Sequence, residues 1–460
     1  DISKLASSQQ LPVCIIGAGV SGLAAANLLQ KHNHPCVILE GSNRIGGRVY
    51  PFEHKDGYLQ HGATFVNGSN NAIFDIARRA NVLVEQVGDY DFWIDYSNIH
   101  WEGRGIDRKD AEDFGIFVSG LEKHYEEMSE ARPETSLADV FWIDYHTFLQ
   151  ENDRMSRRSL FDSLASFYLS YFEMEWAAPA TKMSLCNLSK WDDDTRHPFD
   201  FSWSMNKFGY KKVLDALKSD IPEDRIRLKT VVTNIDYSND NHVLVTTDDE
   251  KVESYSCVIV TCSLGYLKRH AMSLFTPTIP KQKMEAIHSI GFGDMQKLHL
   301  YYEQPFWNEG QFNINTIGRK SSPLLGRGNV FEISAWSNSL TLWLSGPAVE
   351  AAGRMTNEQL NTEITEHLRL ALKDPSIPPA TEIMRHSWYL DPLHLGSYSF
   401  LTPESVQMGD ANSILAEPID NCDNRPLVCF AGEATHSTFY QTTAGAYITG
   451  EREARRILQL

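Results

Sequence analysis

The chain has 460 residues, 42% of them hydrophobic, which is enough for two to four domains with sizeable cores. Its 60 acidic and 42 basic residues give a formal charge of −18, and this argues against a nucleic-acid partner, because phosphate binding needs a basic surface. The same charge would attract a cationic ligand, although many proteins are acidic only for solubility.

The spacing of cysteine, histidine and apolar residues argues against a metal-binding protein and against a membrane-spanning one. The seven cysteines form no CxxC pair and the sixteen histidines no HExxH pair, so we expect free thiols and no metal site. No run of 18 apolar residues exists, so we expect no membrane anchor. We expect a cytoplasmic protein, but the chain begins without methionine, so a processed leader and secretion stay open. The oligomeric state does not follow from the sequence.

A glycine-rich turn opens the predicted fold. An apolar strand runs into Gly17, a helical pattern follows the glycines at once, and a second apolar strand ends at Glu40. Strand, glycine turn, helix and strand, with an acid about 20 residues further on, are typical of a dinucleotide site. Gly17 would allow the tight turn, Gly19 the approach of a pyrophosphate and Gly22 close helix packing. Glu40 would bind the adenosine ribose. A glycine triplet alone also occurs in ordinary turns.

The next loop, residues 41–48, carries more glycines together with Arg44 and Arg48. Guanidinium groups are well suited to a pyrophosphate. Alone this would be an ordinary basic loop. Directly after Glu40 it resembles the loop that clamps FAD in the glutathione-reductase-like flavoproteins, so we expect FAD rather than NAD.

Further along the chain, segments with helical periodicity alternate with segments of strands and helices. Residues 90–205 have helical periodicity and many acids, most of them expected on solvated helix faces. Residues 211–270 return to strands, a hairpin and helices. Strands of period 2 follow, among them 295–301, where Lys297 and His299 point the same way. We predict an α/β fold: a glutathione-reductase-like Rossmann FAD-binding domain (1–89, 206–293 and 386–460) with an inserted α+β substrate-binding domain of antiparallel sheet and helices (90–205 and 294–385).

Motifs late in the chain carry a family resemblance. At residues 431–436 (AGEATH) and 445–454 (GAYITGEREA) the chain resembles the flavin amine oxidases, and within them the animal polyamine oxidases that act on spermine and N1-acetylpolyamines. Residues 62–69, 263–269 and 396–400 support this. The resemblance spans nearly the whole chain and is weakest at 90–205.

The resemblance implies roles for individual residues. Gly432 and Glu433 match the position beside the FAD pyrophosphate and ribityl chain, and the helix beginning near Ala444 would direct its positive end at the flavin. Lys297 matches the lysine that holds a water near flavin N5, although strand lysines are usually solvated. The cofactor-binding residues expected in all are Gly17, Gly19, Gly22, Glu40, Arg48, Val232, Trp388, Gly432, Glu433, Thr443 and Ala444.

On the substrate side, Trp388, Tyr398 and Phe439 match aromatics that line the family's channel, and ordinary core packing is an equally open reading. Acids would hold the distal ammonium groups of a polyamine. The substrate-binding residues expected are Asn67, Glu173, Glu175, Tyr398, Phe439 and Thr442.

Departures from the family are also informative. Ser397 stands where monoamine oxidases carry a flavin-linked cysteine, so we predict non-covalent FAD. Asn67 replaces a histidine of the animal polyamine oxidases, and Gln60-His61 stands where the family typically has Glu-Leu. Substrate contacts at Asn67 are therefore expected to differ from those of the animal polyamine oxidases.

We predict an FAD-dependent polyamine oxidase. Hydride leaves the carbon beside a neutral amine, the resulting imine is hydrolysed to an aldehyde and a shorter amine, and dioxygen becomes hydrogen peroxide. An L-amino-acid oxidase or another amine oxidase on the same fold is the nearest alternative. It would need an arginine for the carboxylate, yet Leu395 stands where one often precedes the Gly-Ser-Tyr motif. A catalytically silent FAD-binding scaffold is the third reading, against which Lys297 argues.

Overall fold

The computed structural model describes residues 11–87, 99–101, 103–191, 202–318 and 321–459. The strands, in chain order, are β1 (Val13–Ile16), β2 (Cys36–Leu39), β3 (Pro51–His54), β4 (Gly57–Gln60), β5 (Leu83–Val87), β6 (Ile99–Trp101), β7 (Arg104–Gly105), β8 (Ser202–Met205), β9 (Ile226–Arg227), β10 (Val232–Asp236), β11 (Val243–Thr247), β12 (Val252–Tyr255), β13 (Cys257–Val260), β14 (Phe275–Thr276), β15 (Gly291–Gly293), β16 (Met295–Tyr301), β17 (Asn313–Ile317), β18 (Gly328–Ile333), β19 (Ser339–Ser345), β20 (Glu382–Arg385), β21 (Tyr398–Phe400), β22 (Ile419–Asp420) and β23 (Pro426–Phe430).

The α-helices, in chain order, are α1 (Val20–Lys31), α2 (Ala72–Arg79), α3 (Arg108–Ser119), α4 (Leu121–Ala131), α5 (Leu137–Gln150), α6 (Arg158–Trp176), α7 (Cys186–Lys190), α8 (Gly209–Lys218), α9 (Leu264–Leu274), α10 (Lys281–Ser289), α11 (Pro347–Gly353), α12 (Asn357–Leu372), α13 (Pro403–Gln407), α14 (Ala411–Ala416) and α15 (Thr443–Leu458). Within the described ranges no helix is both long and apolar enough to cross a bilayer.

A mostly parallel sheet of six strands, in the order β22-β23-β13-β1-β2-β9, contains the strands on either side of the glycine turn. Strand β1 lies between β13 and β2 and pairs with both in parallel. Its residues alternate between two cores: Val13 and Ile15 pack in one, Cys14 and Ile16 in the other. A strand buried on both faces has no polar positions, which explains the continuous apolar runs. The α/β class predicted from the sequence is confirmed.

The turn after β1 needs its glycines. Gly17 has φ +105°, a left-handed conformation that side chains rarely adopt, and Gly22 lies so close beneath the turn that a Cβ there would be 2.0 Å from the Gly17 carbonyl oxygen. Helix α1 therefore begins directly against the end of β1, with its first N–H groups facing the cavity described below.

A second sheet of seven strands, in the order β20-β16-β19-β18-β17-β6-β7, contains the strand of Lys297. Strands β16 and β19 pair antiparallel, with Lys297 opposite Trp343 and His299 opposite Thr341. The even-numbered residues Leu298 and Leu300 pack into an apolar core with helix α12, which begins with a capping box of Thr356 and Gln359. The odd-numbered residues of β16 thus point the other way.

The helical region differs in part from its prediction. Helices α3 to α7 share one aromatic-rich core, as the periodicity indicates. Strands β6 and β7 were not predicted: β6 pairs in parallel with β17, more than 200 residues away in sequence, so no local pattern announces it. The domain boundary predicted after residue 89 lies outside the described residues.

Candidate active site

A single continuous cavity of about 530 Å³ joins the two sheets. At one end its wall contains Gly17, Gly19 and Glu40, and at the other it contains Lys297 and Trp388. Residues expected to bind opposite ends of a dinucleotide therefore face the same space. Val232, Gly432 and Thr443 line it as well.

At the end of the cavity that contains the glycine turn, Glu40 is fixed by backbone contacts. Glu40 accepts hydrogen bonds from the Ala18 N–H (2.7 Å) and the Ser42 N–H (2.8 Å), so its carboxylate is held in place at the end of β2. Helix α1 has no side-chain cap and no acid in its first turn, which leaves its N–H groups and positive end available to a phosphate.

An ion pair closes the middle of the cavity. Arg48 lies 2.7 Å from Glu433, which is almost fully buried and also accepts hydrogen bonds from Ser399 (2.6 Å) and the Gln441 N–H (2.9 Å). Arg48 also donates to the Ser397 carbonyl (2.8 Å). This pair connects the second glycine loop with a segment 385 residues later. Arg44 does not join it: its guanidinium lies 3.7 Å from the centre of the Tyr50 ring, outside the cavity wall.

Helix α15 begins at the cavity. Thr442 and Thr443 are in the wall, and Thr442 caps the helix by accepting from the Gly445 N–H (2.9 Å). Thr443 shares a 2.8 Å hydrogen bond with the Tyr210 hydroxyl. Ala444 is buried in the first turn, behind the wall. The 16-residue helix directs its positive end into the cavity, where developing negative charge would be stabilised.

Lys297 is the buried cation of the site. Its Nζ donates to the carbonyl oxygens of Gln60 (3.1 Å) and Gly62 (2.5 Å) and to the Thr64 hydroxyl. Its side chain is 2% exposed. Desolvation lowers the pKa of Lys297 to about 7, against the opposing attraction of Glu332. The amine is thus poised to exchange a proton near neutral pH.

Two neighbours complete this environment. The Lys297 Nζ lies 4.5 Å from the centre of the Trp343 ring, and the Trp343 indole donates to Glu332 (2.9 Å). Burial raises the pKa of Glu332, while Lys297 lowers it. Trp388 lines the same cavity, with its indole donating to the His61 carbonyl (3.2 Å), and two imidazoles, His386 and His394, pack edge-on against it.

The comparisons with known proteins agree with this geometry. The family model described as flavin containing amine oxidoreductase matches residues 20–458. The chain belongs to the flavin-containing amine oxidoreductase family. It is 27% identical to a peroxisomal N(1)-acetyl-spermine/spermidine oxidase of Homo sapiens over 97% of this chain and 95% of the relative. It is 29% identical to a lysine-specific histone demethylase 1B of Mus musculus, over 97% of this chain and 52% of the relative. A probable polyamine oxidase 5 of Arabidopsis thaliana is 26% identical over 97% and 98% of the two chains.

As a member of this family, the protein is an FAD-dependent amine oxidase. The residues in the wall fit the cofactor: an uncapped helix start and paired glycines for the phosphates, a fixed carboxylate for the ribose and an aromatic ring beside Lys297. The predicted FAD cofactor and the predicted family are confirmed. The individual binding roles stay predictions.

The outer part of the cavity receives some of the predicted substrate residues. Asn67 lines it and donates to the Ser202 hydroxyl (3.1 Å). Tyr398 also lines it, and its hydroxyl donates to the Glu175 carbonyl (3.0 Å). Glu175 is in the wall together with Glu122 of α4, one of the many acids of residues 90–205 that the sequence did not single out as a substrate contact.

Two predicted substrate residues lie elsewhere. Glu173 does not line the cavity: it forms an ion pair with Arg327 and accepts from the Ala180 N–H (2.8 Å), so it stabilises the end of α6. Phe439 is fully buried behind the wall, with its ring 5.6 Å from that of Trp191, which lines the cavity in its place. We therefore withdraw both residues as substrate contacts.

Sequence reasoning also missed the residues that hold Lys297. Thr64 lies inside the 62–69 motif that carries the resemblance, so the motif itself was the available signal. Trp343 and Glu332 gave no such signal, because they reach Lys297 only through strand pairing. Among the described residues, no group of histidine, cysteine or acidic side chains is arranged to hold a metal ion.

Proposed function

We propose that this amine oxidase acts on polyamines, oxidising a C–N bond to an imine that hydrolyses to an aldehyde and a shorter amine. The observation that carries the proposal is the composition of one cavity: a buried Lys297 at its inner end and the acids Glu122 and Glu175 in its outer wall. Carboxylates attract the distal ammonium groups of a polyamine. Burial at the inner end, which lowers the pKa of Lys297, would likewise favour the neutral, oxidisable form of a substrate amine.

FAD, when bound, supplies the hydride acceptor and the route of electrons to dioxygen. The protein's own residues do the rest. Arg48, Glu433 and the start of α15 orient the cofactor, while Trp388 and Tyr398 support a narrow apolar passage for the methylene chain. Neutral Lys297 can accept a proton from a water held beside it, which assists imine hydrolysis or reoxidation.

The α/β topology supports a finer structural proposal. We infer a glutathione-reductase-like FAD-binding domain built from 1–89, 206–293 and 386–460, and a substrate-binding domain built from 90–205 and 294–385. The parallel sheet draws its strands from the first set and the seven-stranded sheet from the second. Ser397 bonds to the Met295 backbone (2.8 Å), and we propose that FAD is held without a covalent link.

The competing activities differ in what the cavity must hold. An L-amino-acid oxidase needs an arginine for the substrate carboxylate. Arg48 is the only arginine among the described wall residues, and Glu433 already engages it. This favours polyamines over amino acids.

The test is peroxide release from the purified holoenzyme with spermine, spermidine, N1-acetylspermine, a panel of L-amino acids and a lysine-methylated histone peptide. We expect peroxide with at least one polyamine at the highest kcat/KM. Peroxide only from amino acids or the peptide would reassign the substrate. Bound FAD without peroxide from any amine would support a silent scaffold and refute the proposal.

A further inference from the structure

A row of buried imidazoles lies beside Lys297, and the proposed function does not use it. His54, His61 and His299, here called the histidine row, are each no more than 6% exposed. They come from three separated segments: β3, the end of β4 and β16. Only the fold brings them together.

The alternation of β16 sets the direction of the row. Lys297, His299 and Tyr301 are odd-numbered residues on one face, with side chains about 7 Å apart along the strand. Lys297 is at the cavity end. At the other end His54 packs edge-on against Tyr301, with ring centroids 5.0 Å apart. The His54 Nε2 lies 3.3 Å from a carboxylate oxygen of Glu382, whose side chain is 52% exposed. The row thus runs from the cavity to solvent.

The middle of the row is closely spaced. The His61 ring centroid is 5.2 Å from that of His299, and His61 lies between the two residues whose carbonyls bind the Lys297 amine. The His299 Nδ1 shares a 2.9 Å hydrogen bond with the Thr341 hydroxyl. Direct contacts or single waters would bridge gaps of this size.

Two imidazoles of the row have a buried ring nitrogen without a partner among the described residues, Nδ1 of His54 and Nδ1 of His61, while His299 also contacts the Gln60 backbone. Buried polar atoms are nearly always hydrogen-bonded, to protein or to ordered water. The two unpartnered nitrogens, together with His299 between the cavity and solvent ends of β16, mark a polar strip through the interior.

Burial and nearby positive charge keep His61 and His299 neutral. Lys297, His386 and Arg44 face His61, and Tyr50 packs edge-on against it. Asp391 lies behind His386, and Glu382 stands only at the outer end. Burial and these cations lower the pKa of His61 to about 3, and burial with His61 and Lys297 lowers the pKa of His299 well below its ordinary value. A neutral imidazole donates at one nitrogen and accepts at the other, as proton transfer requires.

We propose that the histidine row carries protons between the cavity at Lys297 and solvent at Glu382. The proposal rests on the proposed oxidase function, which needs such a route. The protonated substrate R–CH2–NH2⁺–R′ would give up one proton and a hydride from its carbon, for which bound FAD would supply the acceptor, and R–CH=NH⁺–R′ would remain. Dioxygen takes up that hydride and one further proton to form H2O2. One proton leaves the closed site and one enters in each turnover.

The route can be tested without any amine. The FAD of the holoenzyme is reduced anaerobically with dithionite and mixed with dioxygen, and flavin absorbance is followed in H2O and D2O. The variants are His299→Phe and His54→Phe, which keep ring volume and remove the nitrogens. His367→Phe, at a buried histidine of α12 outside the row, is the matched control. We expect reoxidation to slow at least about tenfold in both row variants, with a larger solvent isotope effect, and not in the control.

Reoxidation within twofold of wild type in the two row variants would overturn the proposal. Equal slowing of reoxidation in the control would also overturn the proposal, as would slowing with an unchanged solvent isotope effect. A purely steric role of the histidines predicts both of these results. FAD content is measured for each variant, and if His299→Phe loses the cofactor, the peripheral His54→Phe decides alone. Because dithionite replaces the substrate, failure of the row and failure of amine oxidation are separate results.

Discussion

Replacing Lys297 with methionine removes the buried amine while keeping a long apolar side chain. The pKa of Lys297 sets the expected size of the effect on turnover, because it determines how turnover depends on pH. With a pKa of about 7, the neutral fraction of Lys297 rises from about one-eleventh at pH 6 to about ten-elevenths at pH 8. Because only the neutral amine accepts a proton, the step that it assists should rise about tenfold over this range. The Lys297→Met variant should lack this rise with pH, and its turnover should be slower than that of the wild type by roughly tenfold or more.

The assay is peroxide release with the preferred amine from pH 6 to pH 9, with FAD content determined for each sample. Ionisation of the substrate affects both proteins alike, so the difference between the two profiles isolates Lys297. Lys283→Met is the matched control: Lys283 is also buried, with its amine donating to carbonyls at Ile414 (2.8 Å) and Leu415 (2.9 Å), but it lies outside the cavity wall. A near-normal rate in Lys297→Met, or the same profile change in Lys283→Met, would refute the reasoning.

Three further predictions concern cofactor and substrate binding. Arg48→Met leaves Glu433 buried without its partner, so it should lower the free energy of unfolding by about 3–5 kcal/mol and reduce the FAD content. The double variant Arg48→Met/Glu433→Gln should recover part of both losses. Thermal unfolding measures the stability, and flavin absorbance measures the FAD content. Glu175→Gln should raise KM for spermine about twofold to fivefold, an effect that added salt reduces, while Glu127→Gln, outside the wall, should not. Equal KM values would remove Glu175 from the substrate site. Gly22→Ala should give a protein that binds little FAD, since its Cβ would meet a backbone carbonyl at 2.0 Å; normal FAD content would show that the turn can adjust.

Local patterns predicted much of the parallel sheet and its turn. The strand before Gly17, helix α1 and strand β2 follow from apolar periodicity and turn chemistry, which act over a few residues. The same holds for the hairpin of β10 and β11. Helices α3 to α7 were expected as a class, but strands β6 and β7 were not, because their partners are distant in sequence.

The substrate side shows the limit of such reasoning. Glu173 and Glu175 are two positions apart at the end of α6, and no pattern distinguishes them. The fold turns Glu173 to Arg327 and leaves Glu175 in the cavity wall. Phe439 and Trp191 differ in the same way, since only packing decides which ring reaches the surface of the cavity.

What the sequence by itself determined is the cofactor: the glycines with Glu40, and separately the late motifs, each indicate FAD through residues that lie close together along the chain. What only the tertiary structure decided is the environment of Lys297. Its amine meets the carbonyls of Gln60 and Gly62, more than 230 residues away, and it stands at the end of the histidine row. The pKa of Lys297 depends on desolvation and on charges gathered from several strands, and neither exists until the chain has folded.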